Sequence, residues 1–403
     1  MGEQVSGPQV SVLGMDGRAL AADASTALRA ATLAVGAVRH LDAAGLPSGC
    51  RRLELGPLAP ALAELLLHDG PAVVLASGDP GFFGIVRALR ENGITPVVWP
   101  AVSSVQRVFA ALGRSWDDAM VVSAHGRDLR PALNTCRARP VVAVLTAPGA
   151  GPAELGAGLA GWRRTLTVAE DLGGPGETVS TVGPDEAAQR SWAEPNVVVC
   201  LRDKEYPAAR GWLAGGDPWP AAAGWGLAES AFDHRDGMIT KSEVRAVVLG
   251  HLAPHPGRLV WDLGAGSGSV GVECARMGAA VVAVERDPAQ CARITINADA
   301  HRVDVRVVQA DVAQAVSSLP PPDAVFVGGG GAPVVQLAAG SCASRVVVAL
   351  TAVDRVAPVR DLLQAYRFQV EGVQLSASRL AQLPDGGVRL VATNPVFVLT
   401  GTR

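Results

Sequence analysis

The chain has 403 residues, of which 49% are hydrophobic and 18% charged, with a formal net charge of −3. That composition excludes a disordered chain and, at about 150 residues per domain, allows two or three domains with large cores. It offers no general basic field for nucleic acid, and only Lys204 and Lys241 of its 35 basic residues are lysine.

Aromatic residues make up 4%, against 46 glycines and 28 prolines, which favours α/β layers over an all-β sandwich. Six scattered cysteines without a CxxC pair suit a reducing compartment better than a disulfide framework or zinc site. No basic-then-apolar leader is visible, so the expected location is the cytoplasm. Two weakly charged stretches, Pro140 to Trp162 and Ala324 to Ser344, are interrupted by proline and glycine. Neither reads as a membrane span.

Apolar runs predict strands in the first half at Val10–Leu13, Ala72–Ala76, Pro96–Trp99, Met120–Ser123, Val141–Thr146, Leu166–Ala169 and Asn196–Leu201. Helical patterns lie between several of them, as at Leu58–His68 and Phe83–Asn92. This alternation predicts parallel sheets with crossover helices. From Asp203 to Leu227 proline and glycine recur without a period, which marks a linker. Its tryptophans Trp212, Trp219 and Trp225 suggest partial packing. Domain boundaries are therefore expected at 8–202, 203–227 and 228–403.

In the second half, Thr240 to Glu243 forms a capping-box pattern ahead of a stripe of Val244, Val247, Val248 and Leu252. Strands are expected at Arg258–Leu263, Ala280–Glu285, Val305–Gln309, Ala324–Val327 and Val346–Leu350, and Asp287-Pro288 should open a helix. A helix over Pro358–Tyr366 and two apolar runs, Gln369–Leu375 and Pro395–Thr400, close the chain.

Two glycine loops carry the chemistry. WDLGAGSGSV (Trp261–Val270) joins a strand to a helix with Gly264, Gly266 and Gly268 in GxGxG spacing. The GxGxxG of dinucleotide folds is absent, and this form after an acidic residue resembles the S-adenosylmethionine loop of Rossmann-like class I methyltransferases. Glu285 ends the next strand, where a carboxylate can accept ribose hydroxyls, and Asp311 follows the third strand, facing the expected adenine. The second loop is VVLASGDPGFFGI (Val73–Ile85), a strand running into Ser77-Gly78-Asp79-Pro80-Gly81. It lacks the Walker pattern. It is followed by PAVSS (Pro100–Ser104), AHGRD (Ala124–Asp128) and EDLGGPGE (Glu170–Glu177), and preceded by Leu13-Gly14-Met15-Asp16-Gly17. Asn394-Pro395-Val396-Phe397 looks like an amino-group methyltransferase motif, but it sits at the last strand and reads as a turn.

In that order the first-half motifs resemble the tetrapyrrole methylase (class III) family, and its CbiE branch most. The second half resembles CbiT-type class I methyltransferases. The pair in one chain resembles the bifunctional cobalamin-pathway family. The implied fold is a two-lobed class III domain followed by a Rossmann-like class I domain, each with one S-adenosyl-L-methionine site. The resemblance places Gly14, Gly78, Asp79, Ser103 and Ser104 at the first cofactor site and Thr240, Gly264, Gly266, Gly268, Glu285 and Asp311 at the second. Ala101 replaces the family's usual glycine, and GMDG replaces its commoner GxGPG. The implied activity is methylation of a precorrin at C-5 by the first half, and at C-15, with loss of carbon dioxide from the ring C acetate, by the second. A rival is S-adenosylmethionine-dependent methylation of RNA or protein.

A sulfonium donor needs no metal, and the histidines form no ligand cluster. A polycarboxylate tetrapyrrole calls for placed guanidinium groups, with Arg107, Arg127, Arg235, Arg245 and Arg345 as candidates. Lys241 and His234 are the candidate groups at the decarboxylating site. Neither nucleic acid nor membrane is an expected partner, and the parent families imply a homo-oligomer.

Overall fold

The computed structural model describes residues 9–204, 214–215, 224–341 and 344–403. Trp212, Trp219, Cys342 and most of the expected linker lie outside them. Trp225 is 54% exposed, so the packing expected of it is absent. The adjoining backbone is held instead, through N–H groups of Gly226 and Leu227 donated to Glu273.

The first half opens with β1 (Val10–Met15), α1 (Ala22–Ala30), β2 (Leu33–Gly36), α2 (Val38–Ala43), β3 (Arg51–Glu54), α3 (Leu58–Leu66), β4 (Ala72–Ser77), α4 (Val86–Glu91) and β5 (Val97–Trp99). These strands form a wholly parallel sheet in the order β3-β2-β4-β1-β5. Val12, Leu13, Val35 and Val74 are buried within it, as expected of a sheet covered on both faces. Then α5 (Ser104–Ala111) leads to β6 (Met120–Ser123), α6 (Leu129–Ala138), β7 (Val141–Leu145), α7 (Pro152–Gly158), β8 (Arg164–Glu170), β9 (Thr178–Val182), α8 (Pro184–Gln189) and β10 (Asn196–Arg202). This second sheet is mixed, in the order β6-β7-β10-β8-β9.

One face of the second sheet packs on α5 through Val105, Val108, Phe109, Val141 and Val199. Its other face packs on α6 and α7 through Leu133, Cys136, Leu155, Val142 and Val198. The helix expected from Phe83 begins only at Val86, because Phe83 has φ of +55° and Gly84 lies against the Pro80 carbonyl.

The second half contains α9 (Ser242–Leu252), β11 (Leu259–Leu263), α10 (Ser269–Arg276), β12 (Ala280–Glu285), α11 (Pro288–Ala300), β13 (Arg306–Gln309), α12 (Val312–Ala315), β14 (Ala324–Val327), α13 (Gly331–Gly340), β15 (Arg345–Leu350) and α14 (Val356–Ala365). It ends with β16 (Gln369–Leu375), the hairpin β17 (Ser378–Gln382) and β18 (Val388–Ala392), and β19 (Val396–Thr402). The order β13-β12-β11-β14-β15-β19-β16 makes five parallel strands with antiparallel β19 inserted before β16. Strand order reverses between β11 and β14, where an open α/β sheet leaves a crevice beyond the strand ends.

The halves dock at the opposite end of this sheet. Asn134 on α6 donates to the Gly257 carbonyl just before β11, and Arg130 pairs with Asp323 just before β14. Arg164 and Arg202, with side chains 1% and 6% exposed, share the carboxylate of Asp304 just before β13. The first half therefore meets the amino ends of the strands, through the α6 and α7 side of its second sheet.

Candidate active sites

At the first site three strand ends converge so tightly that only glycine fits. A Cβ on Gly14 would stand 2.3 Å from the Gly78 carbonyl oxygen and 2.4 Å from the Ala101 nitrogen. The Gly78 N–H donates to the Met15 carbonyl at 2.8 Å, and the Gly78 carbonyl accepts from Ala101 N–H at 3.2 Å. Gly78 itself has φ of +57°, which most side chains disfavour. Asp79 accepts from Gly81 N–H at 2.8 Å and keeps its turn closed.

Ser103 caps α5 in a reciprocal pair with Gln106, and Ser104 is the first residue of that helix. Beside them lies a cavity of about 480 Å³ whose walls include Gly14, Asp16, Leu20, Asp79, Trp99 and Gln106. The five expected residues thus come together around one cavity, with Gly14 and Asp79 in its wall. Gln106 and Trp99 were missed, since neither belongs to a glycine or serine motif.

Arg107 does not stand free for substrate. It donates to the Asp16 carbonyl and pairs with Glu177, both at 2.6 Å. Gly17 lies against the Gly173 carbonyl at the same seam. These contacts latch the first loop to the EDLGGPGE segment of the other lobe.

At the second site Gly264, Gly266 and Gly268 have φ of +68°, +56° and +72°. A Cβ on Gly268 would meet the Ile294 side chain at 2.9 Å. The Glu285 carboxylate accepts N–H groups from Gly266, Arg286 and Asp287, so it shapes the loop as well as ending β12. Asp311 caps α12 by accepting from Ala313 N–H at 2.9 Å, at the same sheet end as Glu285. A cavity of about 210 Å³ is walled by Ile239, Thr240, Gly264, Gly266, Ser269 and Phe326, among others.

Asp262 gives the clearest test of whether this pocket suits a bound cofactor. It is 1% exposed, its Oδ2 accepts from Gly271 N–H at 2.9 Å, and its Oδ1 has no partner. Burial pushes its carboxyl up to about 7, and the charge of Glu285 adds to that rise. An orphaned, buried acceptor beneath three left-handed glycines is a site that lacks a donor, and it fits a ligand bearing ammonium or hydroxyl groups.

The segment before α9 closes over this pocket. Asn297, 1% exposed, donates to both the Asp233 and Ser267 carbonyls and accepts from Asp233 N–H. It ties the segment to the glycine loop. His234 Nδ1 accepts from Gly237 N–H at 3.2 Å, and Lys241 Nζ donates to the Gly237 carbonyl at 3.1 Å. Both side chains thus hold the turn beside Thr240.

The expected capping box is not formed. Lys241 is the N-cap, and its side chain makes no capping bond to the helix. Instead Glu229 accepts from Ser242 N–H, and Glu243 turns to Arg379. Arg379 also pairs with Glu229 and holds that carboxyl down to about 2. Arg379 lies on β17, 150 residues from Glu229, a separation that no local pattern exposes.

Two more candidate arginines are engaged. Arg245 is fully buried against Glu273 and donates to the Thr240 and Leu227 carbonyls. Arg345 donates to the His251 carbonyl. Arg127 and Arg235 remain exposed.

Comparison with known proteins finds one family match in each half. Residues 16–188 match the model of the tetrapyrrole (corrin/porphyrin) methylases, and residues 230–382 that of the precorrin methyltransferase domain. A precorrin-6Y C(5,15)-methyltransferase [decarboxylating] of Sinorhizobium sp is 39% identical over 343 residues, covering 80% of this chain and 79% of its own. One from Mycobacterium tuberculosis is 32% identical over 338 residues, covering 79% of each. The solved C-terminal domain of precorrin-6Y C5,15-methyltransferase from Rhodobacter capsulatus is 32% identical, covers 44% of this chain and 97% of its own, and superposes with a TM-score of 0.40. The chain belongs to the precorrin-6Y C(5,15)-methyltransferase (decarboxylating) family.

Proposed function

We propose that this chain methylates precorrin-6Y at C-5 and C-15 and removes carbon dioxide from the ring C acetate, giving precorrin-8. The observation that carries this reading is the presence of two differently built glycine-loop pockets, on unrelated sheets, within one chain of this family. Residues 8–202 act at C-5 and residues 228–403 at C-15 and the acetate, with 203–227 joining them. S-adenosyl-L-methionine is the methyl donor, with one site in each half.

The donor supplies an electrophilic methyl group and departs as a neutral thioether. The protein's part is placement, which can supply most of the acceleration of such an in-line transfer. In the first half Gly14 and Gly78 clear the space, and Asp79 and Gln106 offer polar groups at the wall. In the second, Gly264, Gly266 and Gly268 leave backbone open to the donor. Asp262 and Glu285 supply acceptors, and Asp311 lies at the adenine end. Thr240 stands at the rim.

Lys241 and His234 belong to the decarboxylating site on this reading. The Lys241 ammonium binds and orients the acetate. As its C–C bond breaks, carbon dioxide leaves and the electron pair passes into the protonated macrocycle, and the His234 Nε2, the ring nitrogen not used by its own turn, gives the side-chain carbon its proton. The chain works in the cytoplasm as a homo-oligomer and uses neither nucleic acid nor membrane. Among the described residues no helix is long and apolar enough to cross a membrane.

The test is to supply precorrin-6Y and S-adenosylmethionine and follow the product mass. Two methyl groups gained and one carbon dioxide lost is the expected result. Methylation of RNA or protein in preference to the corrinoid would reject it.

A further inference from the structure

The loop after Asp79 keeps two aromatic side chains out of any core. Phe82 and Phe83 are 38% and 47% exposed, and their rings meet edge to face at 5.0 Å. Full burial of such rings would stabilise the fold, and that gain is only partly realised here. Phe83 also has φ of +55°, a conformation that is strained for a bulky residue and clusters at ligand sites. The next residue, Gly84, lies so close to the Pro80 carbonyl that a Cβ would stand 2.2 Å from its oxygen, so only glycine fits there.

A guanidinium lies beside these rings. The Arg127 guanidinium, from the loop after β6 in the other lobe, stands 5.8 Å from the centre of the Phe83 ring. Among the described residues Arg127 has no ion-pair partner, and its neighbour Asp128 caps α6 through Arg130 N–H. On the near side, Arg39 and His40 both reach the Ser77 hydroxyl, at 2.9 and 2.8 Å, one residue before Gly78. Burial and the Arg39 charge hold His40 down to about 4, so the fixed cations near neutral pH are Arg39 and Arg127. An exposed apolar corner, made by one ring standing edge-on to the other with the Arg127 guanidinium over Phe83 and the Gly78-Asp79 loop just before it in the chain, complements an apolar ring system that bears carboxylates.

We propose that Phe82, Phe83 and Arg127 form a substrate shelf for the first half, with the macrocycle packed against the exposed aromatic pair and a peripheral carboxylate pairing with Arg127. This rests on the corrinoid reading above and deepens it. A mere latch between the lobes is already provided elsewhere, by Arg107 with Asp16 and Glu177.

The test uses the full chain with Phe83→Gly, which tolerates the left-handed backbone while removing the ring, and with Arg127→Ala and Arg127→Lys. Carbon-13-labelled methyl donor distinguishes the C-5 and C-15 methyl groups by NMR, so the second half's reaction serves as the internal control of folding. The expected result is a rise of about tenfold or more in the C-5 KM for the tetrapyrrole in Phe83→Gly and Arg127→Ala. Arg127→Lys should recover part of it, and C-15 methylation and the KM for the methyl donor should stay unchanged. An unchanged C-5 KM, or a joint fall in Tm and both activities, would overturn the shelf. Absence of both methylations in the unsubstituted protein would instead reject the functional reading, and the shelf with it.

Discussion

The two pockets solve one problem with opposite resources. In the first half close backbone packing sets the loop: Gly14, Gly78 and Ala101 interlock so closely that a single methyl group does not fit, and Asp79 closes the turn through Gly81 N–H. In the second half carboxylates organise the loop, Glu285 through three N–H groups and Asp262 through Gly271. The first design is chiefly steric, whereas the second buries an ionisable group. The pockets also face apart. The first lies on the α5 side of its second sheet, and the docking surface lies on the α6 and α7 side. The second pocket lies beyond the carboxyl ends of strands whose amino ends make the dock. A sheet, a helix layer and a strand length therefore intervene, on the order of 30 Å.

The sharpest way to break this comparison is to disable each pocket in turn. Gly14→Val forces backbone apart at the first site and should lower C-5 methylation by about 100-fold or more, leaving C-15 chemistry intact. Gly266→Val places a branched side chain at φ of +56° in the wall of the second pocket and should do the reverse. Product analysis by NMR checks both, and loss of both methylations from either variant would mean the sites are not independent.

Lys241→Ala should have a smaller effect, slowing C-15 methylation or decarboxylation by about 10- to 100-fold while C-5 methylation proceeds. Normal turnover on all counts would remove Lys241 from the site.

Asp262 tests the electrostatic half of the contrast, through stability and not through rate. Its folded pKa of about 7 lies above the usual 3.8. Its contribution to stability is therefore intact below about pH 4 and lost as pH rises to 7. Asp262→Asn removes this dependence, so the variant should gain relative to the parent by on the order of 3 kcal/mol between pH 5 and pH 8. Urea unfolding at several pH values measures it, and a gap that does not change with pH would contradict the account.

Sequence reading reached the loops because each is local: strand, glycine turn and helix within a dozen residues. Most strands followed from apolar runs. Strand β3 escaped because Arg51-Arg52-Leu53-Glu54 is an exposed edge without alternation, and β9 because it too lies at a sheet edge. The substrate arginines were the weakest part, since side-chain partners come from remote segments. Arg245 finds Glu273 and Arg107 finds Glu177, and nothing near either in sequence announces the pairing. The capping box failed for the same reason, as Glu243 was taken by Arg379 from β17.

The separation of the two pockets implies that the intermediate leaves one site before reaching the other. The direct test mixes full chains carrying Gly14→Val with full chains carrying Gly266→Val, in the presence of precorrin-6Y and S-adenosylmethionine. The account predicts that the mixture forms the doubly methylated, decarboxylated product with a lag that shortens as protein concentration rises. Failure of the mixture to form it, while each variant alone completes its own single methylation, would contradict two outward-facing sites served by a free intermediate.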